Sequence, residues 1–121
     1  MREIKFRVWD TIENKMLYPS ENWIRIGLGG EIFEKEYQGF WRLSKTLKLM
    51  QFTGLKDKNG KEIYDGDIFR GLHDFGPGGM AERIGVVSFN IRKGYEWNYW
   101  DFSTIEVIGN IHKNPELLGK S

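Results

Sequence analysis

The dipeptide Asn59-Gly60 constrains the fold more than any other feature of this sequence, because it lies between two segments with the residue pattern of strands. Residues 47–55 alternate along the chain, which favours a strand, and an apolar segment starts again at Ile63 and Tyr64. A two-residue type I′ turn needs positive φ at both central residues, and Asn-Gly accommodates this best. The sequence therefore predicts two antiparallel strands with Asn59 and Gly60 at the tip of the turn.

Similar patterns predict several more short strands. Alternation over residues 4–9, followed by a returning strand at 15–18, predicts a hairpin within the first twenty residues. Further strands are predicted over 83–91 and 104–111, and Gly66 indicates a bulge or a sharp bend. Many short strands separated by Gly and Asn turns are typical of a small β-barrel or roll.

Three segments lack this pattern. Residues 21–43 are interrupted by glycines, and no element is predicted there. Residues 71–79 contain four glycines and a proline, which predicts a flexible loop. Asn114 followed by Pro115 predicts a short C-terminal helix, because Asn caps helix N-termini and Pro fits the first helical position.

The composition excludes several classes of function. With 18 basic and 17 acidic residues the formal net charge is +1, which argues against bulk attraction to nucleic acid or to an anionic membrane. The absence of cysteine excludes disulfides and thiolate chemistry. No apolar run approaches the roughly 20 residues of a membrane span, and no signal peptide is recognisable. We therefore expect a cytoplasmic protein with no membrane partner.

Three stretches of the chain together resemble the YopX family. They are Lys5–Asp10, Met50–Ile68, and Glu106–Ile111 followed by Asn114–Leu118. The resemblance implies a phage or prophage origin, hence a bacterial host cell, and an SH3-like barrel over the second half of the chain. It implies no catalytic, cofactor-binding or partner-binding residues.

The predicted architecture is therefore one mostly β domain over residues 1–121. Residues 1–46 form an N-terminal hairpin and a variable segment, and residues 47–121 form the barrel-like part. At 121 residues, of which 15% are aromatic, the chain is long enough for one domain with a real core.

Candidate metal and catalytic groups have simpler interpretations. Residues 57–66 resemble a calcium loop, but the positions that should carry acidic ligands at its two ends are Leu55 and Gly66. Asp65 and Asp67 fit turn chemistry around Gly66 better than acid–base catalysis. The two histidines, His73 and His112, lie in unrelated segments and are expected to be exposed. The sequence predicts no catalytic residue, no cofactor and no metal.

Two groups of residues are candidate binding sites. Lys56, Lys58 and Lys61 lie in a locally basic stretch that could follow nucleic-acid phosphates, although lysines also protect strand edges against aggregation. An aromatic strand is predicted over 95–102, and its aromatic residues alternate between two faces. One face carries Tyr95, Trp97 and Tyr99, and the other carries Trp100 and Phe102.

A strand in a small barrel has only one inward face. The second aromatic face is therefore expected to cover the N-terminal hairpin or to meet another molecule. The candidate partner-binding residues are Tyr95, Trp97, Tyr99 and Trp100.

The sequence thus predicts a non-enzymatic binding module of phage or prophage origin, whose partner is another protein or a second copy of the chain. The alternative is a module for RNA or single-stranded nucleic acid that uses the lysine-rich hairpin and the aromatic strand.

Overall fold

The computed structural model describes residues 5–18, 24–29, 31–35, 39–90, 94–95 and 97–118, and only the backbone of 89, 90, 94 and 95. The chain divides into two compact units, with the division in the sequence between Gln51 and Phe52. In the described part of the chain, regular structure consists of twelve strands and three single-turn 3₁₀ segments. The prediction of a mostly β protein is confirmed.

The N-terminal unit begins with the predicted hairpin. Strands β1 (Phe6–Asp10) and β2 (Lys15–Leu17) are antiparallel, with Val8 opposite Leu17. The turn is tied by Asp10, whose Oδ1 accepts hydrogen bonds from the backbone N–H of Ile12 and Glu13. Strand β6 (Leu47–Lys56) contributes its first half to this unit and pairs with the other edge of β1.

The segment for which no element was predicted contains a three-stranded antiparallel meander. Its strands are β3 (Ile24–Ile26), β4 (Ile32–Lys35) and β5 (Trp41–Leu43), with β4 in the centre. These strands are only three or four residues long, and therefore too short to show a clear period in the sequence. A small core joins them to the hairpin through Val8, Leu17, Ile24, Ile32 and Leu47.

The C-terminal unit is built from hairpins. The second half of β6 pairs with β7 (Glu62–Tyr64), and β8 (Asp67–Asp74) lies between β9 (Met80–Val86) and β12 (Glu106–Asn110). Strands β10 (Phe89–Asn90) and β11 (Gly94–Tyr95) form a two-stranded ladder. The core of this unit consists of Ile63, Phe69, Val87, Ile105 and Val107, with Trp97, Trp100 and Phe102 packed against it.

The predicted flexible loop at 71–79 is wrong, because most of these residues belong to a regular hairpin. Strands β8 and β9 pair without interruption from Ile68 opposite Val86 to Asp74 opposite Met80. Two glycines in the ladder are required by packing. A Cβ on Gly71 would lie 2.7 Å from Ile105 Cδ1, and one on Gly85 would lie 2.8 Å from Phe69 Cζ. Glycine here marks close approach of a side chain, and not flexibility.

Two finer predictions also fail. The C-terminal helix is a single 3₁₀ turn at Pro115–Leu117, and Asn114 does not cap it, since its Oδ1 instead accepts a long hydrogen bond from Asn110 N–H at 3.3 Å. The SH3-like type is not supported. In the described residues β9 and β12 each pair with β8 alone, so the ladder that they form is an open antiparallel sheet.

Candidate functional site

The predicted turn at Asn59-Gly60 exists, but it is not a two-residue type I′ turn. Gly60 has φ +82°, whereas Asn59 does not have positive φ. Asp57 N–H donates to Lys61 O at 2.8 Å and Gly60 N–H donates to Asp57 O at 2.9 Å, which makes a three-residue loop with glycine in the left-handed position. This is the type I turn with a G1 bulge.

Asp57 determines this geometry. Its Oδ1 accepts hydrogen bonds from the N–H groups of Asn59 and Lys61, both at 2.9 Å, and its Oδ2 accepts one from Val107 N–H at 2.9 Å. Burial raises the pKa of Asp57, but the three backbone donors outweigh burial, and the pKa lies below its ordinary value. Asp57 therefore joins the loop to strand β12. With both carboxylate oxygens bonded to backbone N–H groups, it is poorly suited to bind calcium.

The three lysines of the nucleic-acid hypothesis are exposed on this hairpin, and each has an acidic neighbour. Lys56 lies directly opposite Glu62, and the charge of Lys61 acts on Asp57. Lys58 lies near Glu106, whose pKa is held below its ordinary value mainly by a hydrogen bond from Arg70 at 2.8 Å and also by Lys58. Each lysine thus lies close to an acidic residue, and such a neighbour disfavours a phosphate-binding stripe at this place.

Beside the hairpin lies a shallow polar depression of about 290 Å³ that carries two cations and two carboxylates. It is lined by Lys58, Arg70, Gly71, Leu72, Glu82, Thr104 and Glu106. Arg70 and Glu106 are already paired, and Thr104 Oγ1 accepts from Leu72 N–H and donates to Asp101 O. Arg70, Glu106 and the Thr104 hydroxyl therefore serve the fold.

The predicted aromatic strand over 95–102 is not continuous. Residues 98–99 form a turn in which Tyr99 has φ +71°, and Trp100 makes only an isolated bridge to His73. Trp97 and Phe102, predicted on opposite faces, contact each other with ring centroids 5.1 Å apart and pack on the same core. The positive φ at Tyr99 breaks the alternation on which the prediction was based.

The four candidate partner-binding residues therefore have different environments. Trp97 and Trp100 are half-buried against Phe69, at 5.3 and 4.6 Å between ring centroids. Tyr99 is 71% exposed. The side chain of Tyr95 lies outside the described residues.

A cluster at the tip of the β8–β9 hairpin brings two of the candidate residues, Tyr99 and Trp100, together with His73 and with Phe75, which the sequence did not single out. His73 packs on Phe75 and on Trp100, each at 4.7 Å between ring centroids, and lies 6.3 Å from Tyr99. We call these four residues, His73, Phe75, Tyr99 and Trp100, the tip patch. Phe75 is 47% exposed, so the patch presents two aromatic rings to solvent above two half-buried ones.

The two histidines differ from the prediction in different ways. His73 is neither in a loop nor exposed, since it belongs to β8 and is half-buried in the tip patch, where its Nδ1 has no hydrogen-bond partner among the described residues. His112 is half-buried in the turn after β12, and its backbone N–H donates to Asn110 Oδ1. Asp67 is buried and accepts a hydrogen bond from Tyr64 N–H at 2.7 Å, which fits the turn chemistry expected around Gly66.

Two other features are absent from the part of the chain that the structure describes. No three His, Asp or Glu side chains come together there in a way that could hold a metal ion. The same part of the chain contains no helix with the length and apolarity to cross a membrane.

Comparison with known proteins places this chain in a family. A family model described as YopX protein matches residues 5–119. The crystal structure of protein EF1440 from Enterococcus faecalis is similar to this chain, with 29% sequence identity and a TM-score of 0.60. The alignment covers 98% of this chain and 99% of that one. No curated protein matches the sequence.

Proposed function

We propose that this chain, which belongs to the YopX family, is a non-enzymatic binding module of phage or prophage origin that contacts another protein through the tip patch. The phage origin is supported by the family. The proposed binding role is supported by the geometry of the patch, in which two exposed aromatic rings, one from the hairpin turn and one from the turn at 98–99, lie next to His73 and Trp100.

The observation that carries the proposal is the conformation of Tyr99. A tyrosine with φ +71° is strained by roughly 1–3 kcal/mol, and glycine or asparagine would avoid most of this cost. The strained residue is nevertheless 71% exposed, so the strain is not compensated by burial of the ring. Its carbonyl oxygen accepts a hydrogen bond from Asp74 N–H at 2.6 Å, which holds the strained backbone against the end of β8, and its ring lies 6.3 Å from that of His73. Strain retained at an exposed aromatic residue is typical of a functional surface.

The surroundings of Tyr99 suit a protein partner. Tyrosine and tryptophan are enriched among the residues that dominate protein interfaces. The Arg83 guanidinium lies 5.9 Å from the centroid of the Phe75 ring and adds a cation at the rim of the patch. Because the patch is small, we expect a weak or transient complex, or one that extends beyond the patch.

Affinity capture tests this proposal with matched variants. The tagged protein is recovered from infected or lysogenic cells in parallel with Tyr99→Gly, Phe75→Ser and Ile12→Ser, all after nuclease treatment. Ile12 is a matched control, because it is also 71% exposed but lies in the N-terminal hairpin. We expect a stoichiometric protein with wild type and Ile12→Ser, and its loss with both patch variants.

Sedimentation velocity from low to high micromolar concentration decides whether that partner is a second copy. Self-association that Tyr99→Gly abolishes would identify the chain as its own partner. Equal recovery of all partners by the four proteins, together with unchanged sedimentation, would contradict the proposal.

A further inference from the structure

The outer face of the β3–β4–β5 sheet, in the N-terminal unit, carries aromatic and cationic side chains that the proposed function does not use. Arg25 is directly opposite Phe33, Phe33 is directly opposite Leu43, and Lys35 is directly opposite Trp41. Directly opposed residues on antiparallel strands share a face, as do residues two apart on one strand. These five side chains therefore lie on one face, which we call the outer sheet face.

The other face of this sheet forms the core. Ile24 and Ile32 are buried there against Val8 and Leu47. Arg42 and Glu34, which share that side at one end, form an ion pair at 3.7 Å. One face is thus explained by packing. The outer sheet face combines two half-buried rings with two exposed cations, and among the described residues it belongs to neither core cluster.

Arg25 and Trp41 form the centre of the outer sheet face. The Arg25 guanidinium lies 4.2 Å from the Trp41 ring centroid, so that the arginine reaches across the central strand. A guanidinium stacked on indole uses its flat face and leaves its in-plane N–H donors available to an anion. Lys35 places a second cation directly opposite the same tryptophan.

Exposed apolar side chains surround this centre. Leu43 is 54% exposed on the face itself, and Phe40, next to Trp41 in the chain, is 68% exposed. Next to β5 lies a groove of about 390 Å³ lined by Glu34, Arg42, Leu43, Lys45 and Thr46, where two more cations meet one carboxylate. The acidic Glu31 lies beside Gly27 and Gly29, at the end of the sheet away from Lys35 and Trp41 but at the same end as Leu43.

We propose that the outer sheet face binds single-stranded nucleic acid. Proteins that hold single strands combine aromatic rings, on which bases stack, with cations that contact the phosphates, and they need no large net charge elsewhere in the chain. Trp41 and Phe33 supply rings in this arrangement, and Arg25 and Lys35 supply the phosphate contacts. This assigns nucleic-acid binding to residues other than Lys56, Lys58 and Lys61, whose charges have acidic neighbours.

Fluorescence anisotropy with labelled oligo-dT and oligo-rU tests this site at several salt concentrations. The double variant Arg25→Gln/Lys35→Gln is compared with Lys56→Gln/Lys61→Gln, which removes the same charge from exposed positions of the hairpin. We expect the first variant to lose about tenfold or more in affinity near 50 mM salt, and its log–log salt slope to fall by about 1.4, which is roughly 0.7 for each phosphate contact. The hairpin variant should stay within about twofold of wild type.

Trp41→Leu removes the ring while keeping both cations, and it should weaken binding by about tenfold while most of the salt slope remains. If Trp41→Leu does not fold, the exposed charge variants still decide the question. Three results would overturn the proposal: no binding by wild type at low salt, equal losses in the two double variants, or competition by polyglutamate as effective as by unlabelled oligonucleotide. The last result would identify an acidic protein as the ligand.

Discussion

The two units of this protein hold their turns with the same residue type in different environments. In the N-terminal unit Asp10 is half-buried and accepts two N–H donors from its own turn. In the C-terminal unit Asp57 is buried and accepts three donors, one of which comes from Val107, fifty residues along the chain. An aspartate of the first kind shapes a turn, whereas one of the second kind joins distant segments. We therefore expect the stability of the C-terminal unit to depend more strongly on Asp57 than that of the N-terminal unit depends on Asp10.

The largest expected effect is that of Asp57→Ala. The substitution removes the carboxylate and with it three charge-assisted hydrogen bonds, and it leaves the buried Val107 N–H without an acceptor. The free energy of unfolding should therefore fall by about 3–5 kcal/mol. Asp10→Ala should cost about 1 kcal/mol or less, because water can replace the carboxylate in an exposed turn. Urea denaturation of the two variants measures both values. Equal losses would remove the distinction between the two turns.

The second largest effect is expected from backbone strain at Gly60, in the loop that Asp57 holds. Gly60→Val should lower the free energy of unfolding by about 1–3 kcal/mol, since a β-branched residue is strained at positive φ. A Cβ at this position would meet no atom within 4 Å, so strain is the only cost. Gly60→Asn is the matched control and should cost less, because asparagine tolerates this conformation. If the two variants have the same melting midpoint, Gly60 is not needed for its φ.

The pH dependence of stability tests whether the charge of the Asp57 carboxylate stabilises the fold. Because its pKa in the folded protein lies below the ordinary value, the carboxylate contributes stability above the unfolded pKa and loses that contribution as the pH falls through the folded pKa. The difference in unfolding free energy between wild type and Asp57→Asn should be full near neutral pH and shrink in acid, starting at about pH 4. A difference that is constant from neutral pH to about pH 2 would mean that the carboxylate charge does not matter.

The smallest expected effect is that of calcium. Both oxygens of Asp57 already accept backbone hydrogen bonds, and residues 55 and 66 offer no carboxylate. Millimolar calcium should therefore leave the melting midpoint unchanged to within about 1 °C, since only a ligand that binds the native state raises stability. A rise of several degrees would show that the loop rearranges around an ion.

The sequence predicts some of these features better than others, for physical reasons. The hairpin at residues 6–17 follows from alternation, and the turn at Gly60 follows from its need for positive φ. The exact turn type was wrong because it depends on the Asp57 side chain, whose partner Val107 is distant in sequence. Gly71 was misread as part of a flexible loop for the same reason, since the Ile105 side chain that approaches it comes from elsewhere in the fold.

The candidate surfaces were harder to predict than the fold. Alternation places Tyr99 with Trp97, but a positive φ at a tyrosine cannot be read from a sequence. Phe75 stands out only as an aromatic residue among turn glycines, and its contact with His73 depends on the hairpin. The outer sheet face arises from strands of three or four residues, whose register fixes which side chains meet.

The stability of Tyr99→Gly tests the central claim most directly, because it needs no knowledge of the partner. If the strain at Tyr99 is retained for binding, glycine should relieve about 1–3 kcal/mol of it and lose about 0.5–1 kcal/mol to backbone entropy. The account predicts that Tyr99→Gly is at least as stable as wild type in urea denaturation. A loss of about 1 kcal/mol or more would show that the ring supports the fold, and it would contradict the assignment of the tip patch as a binding surface.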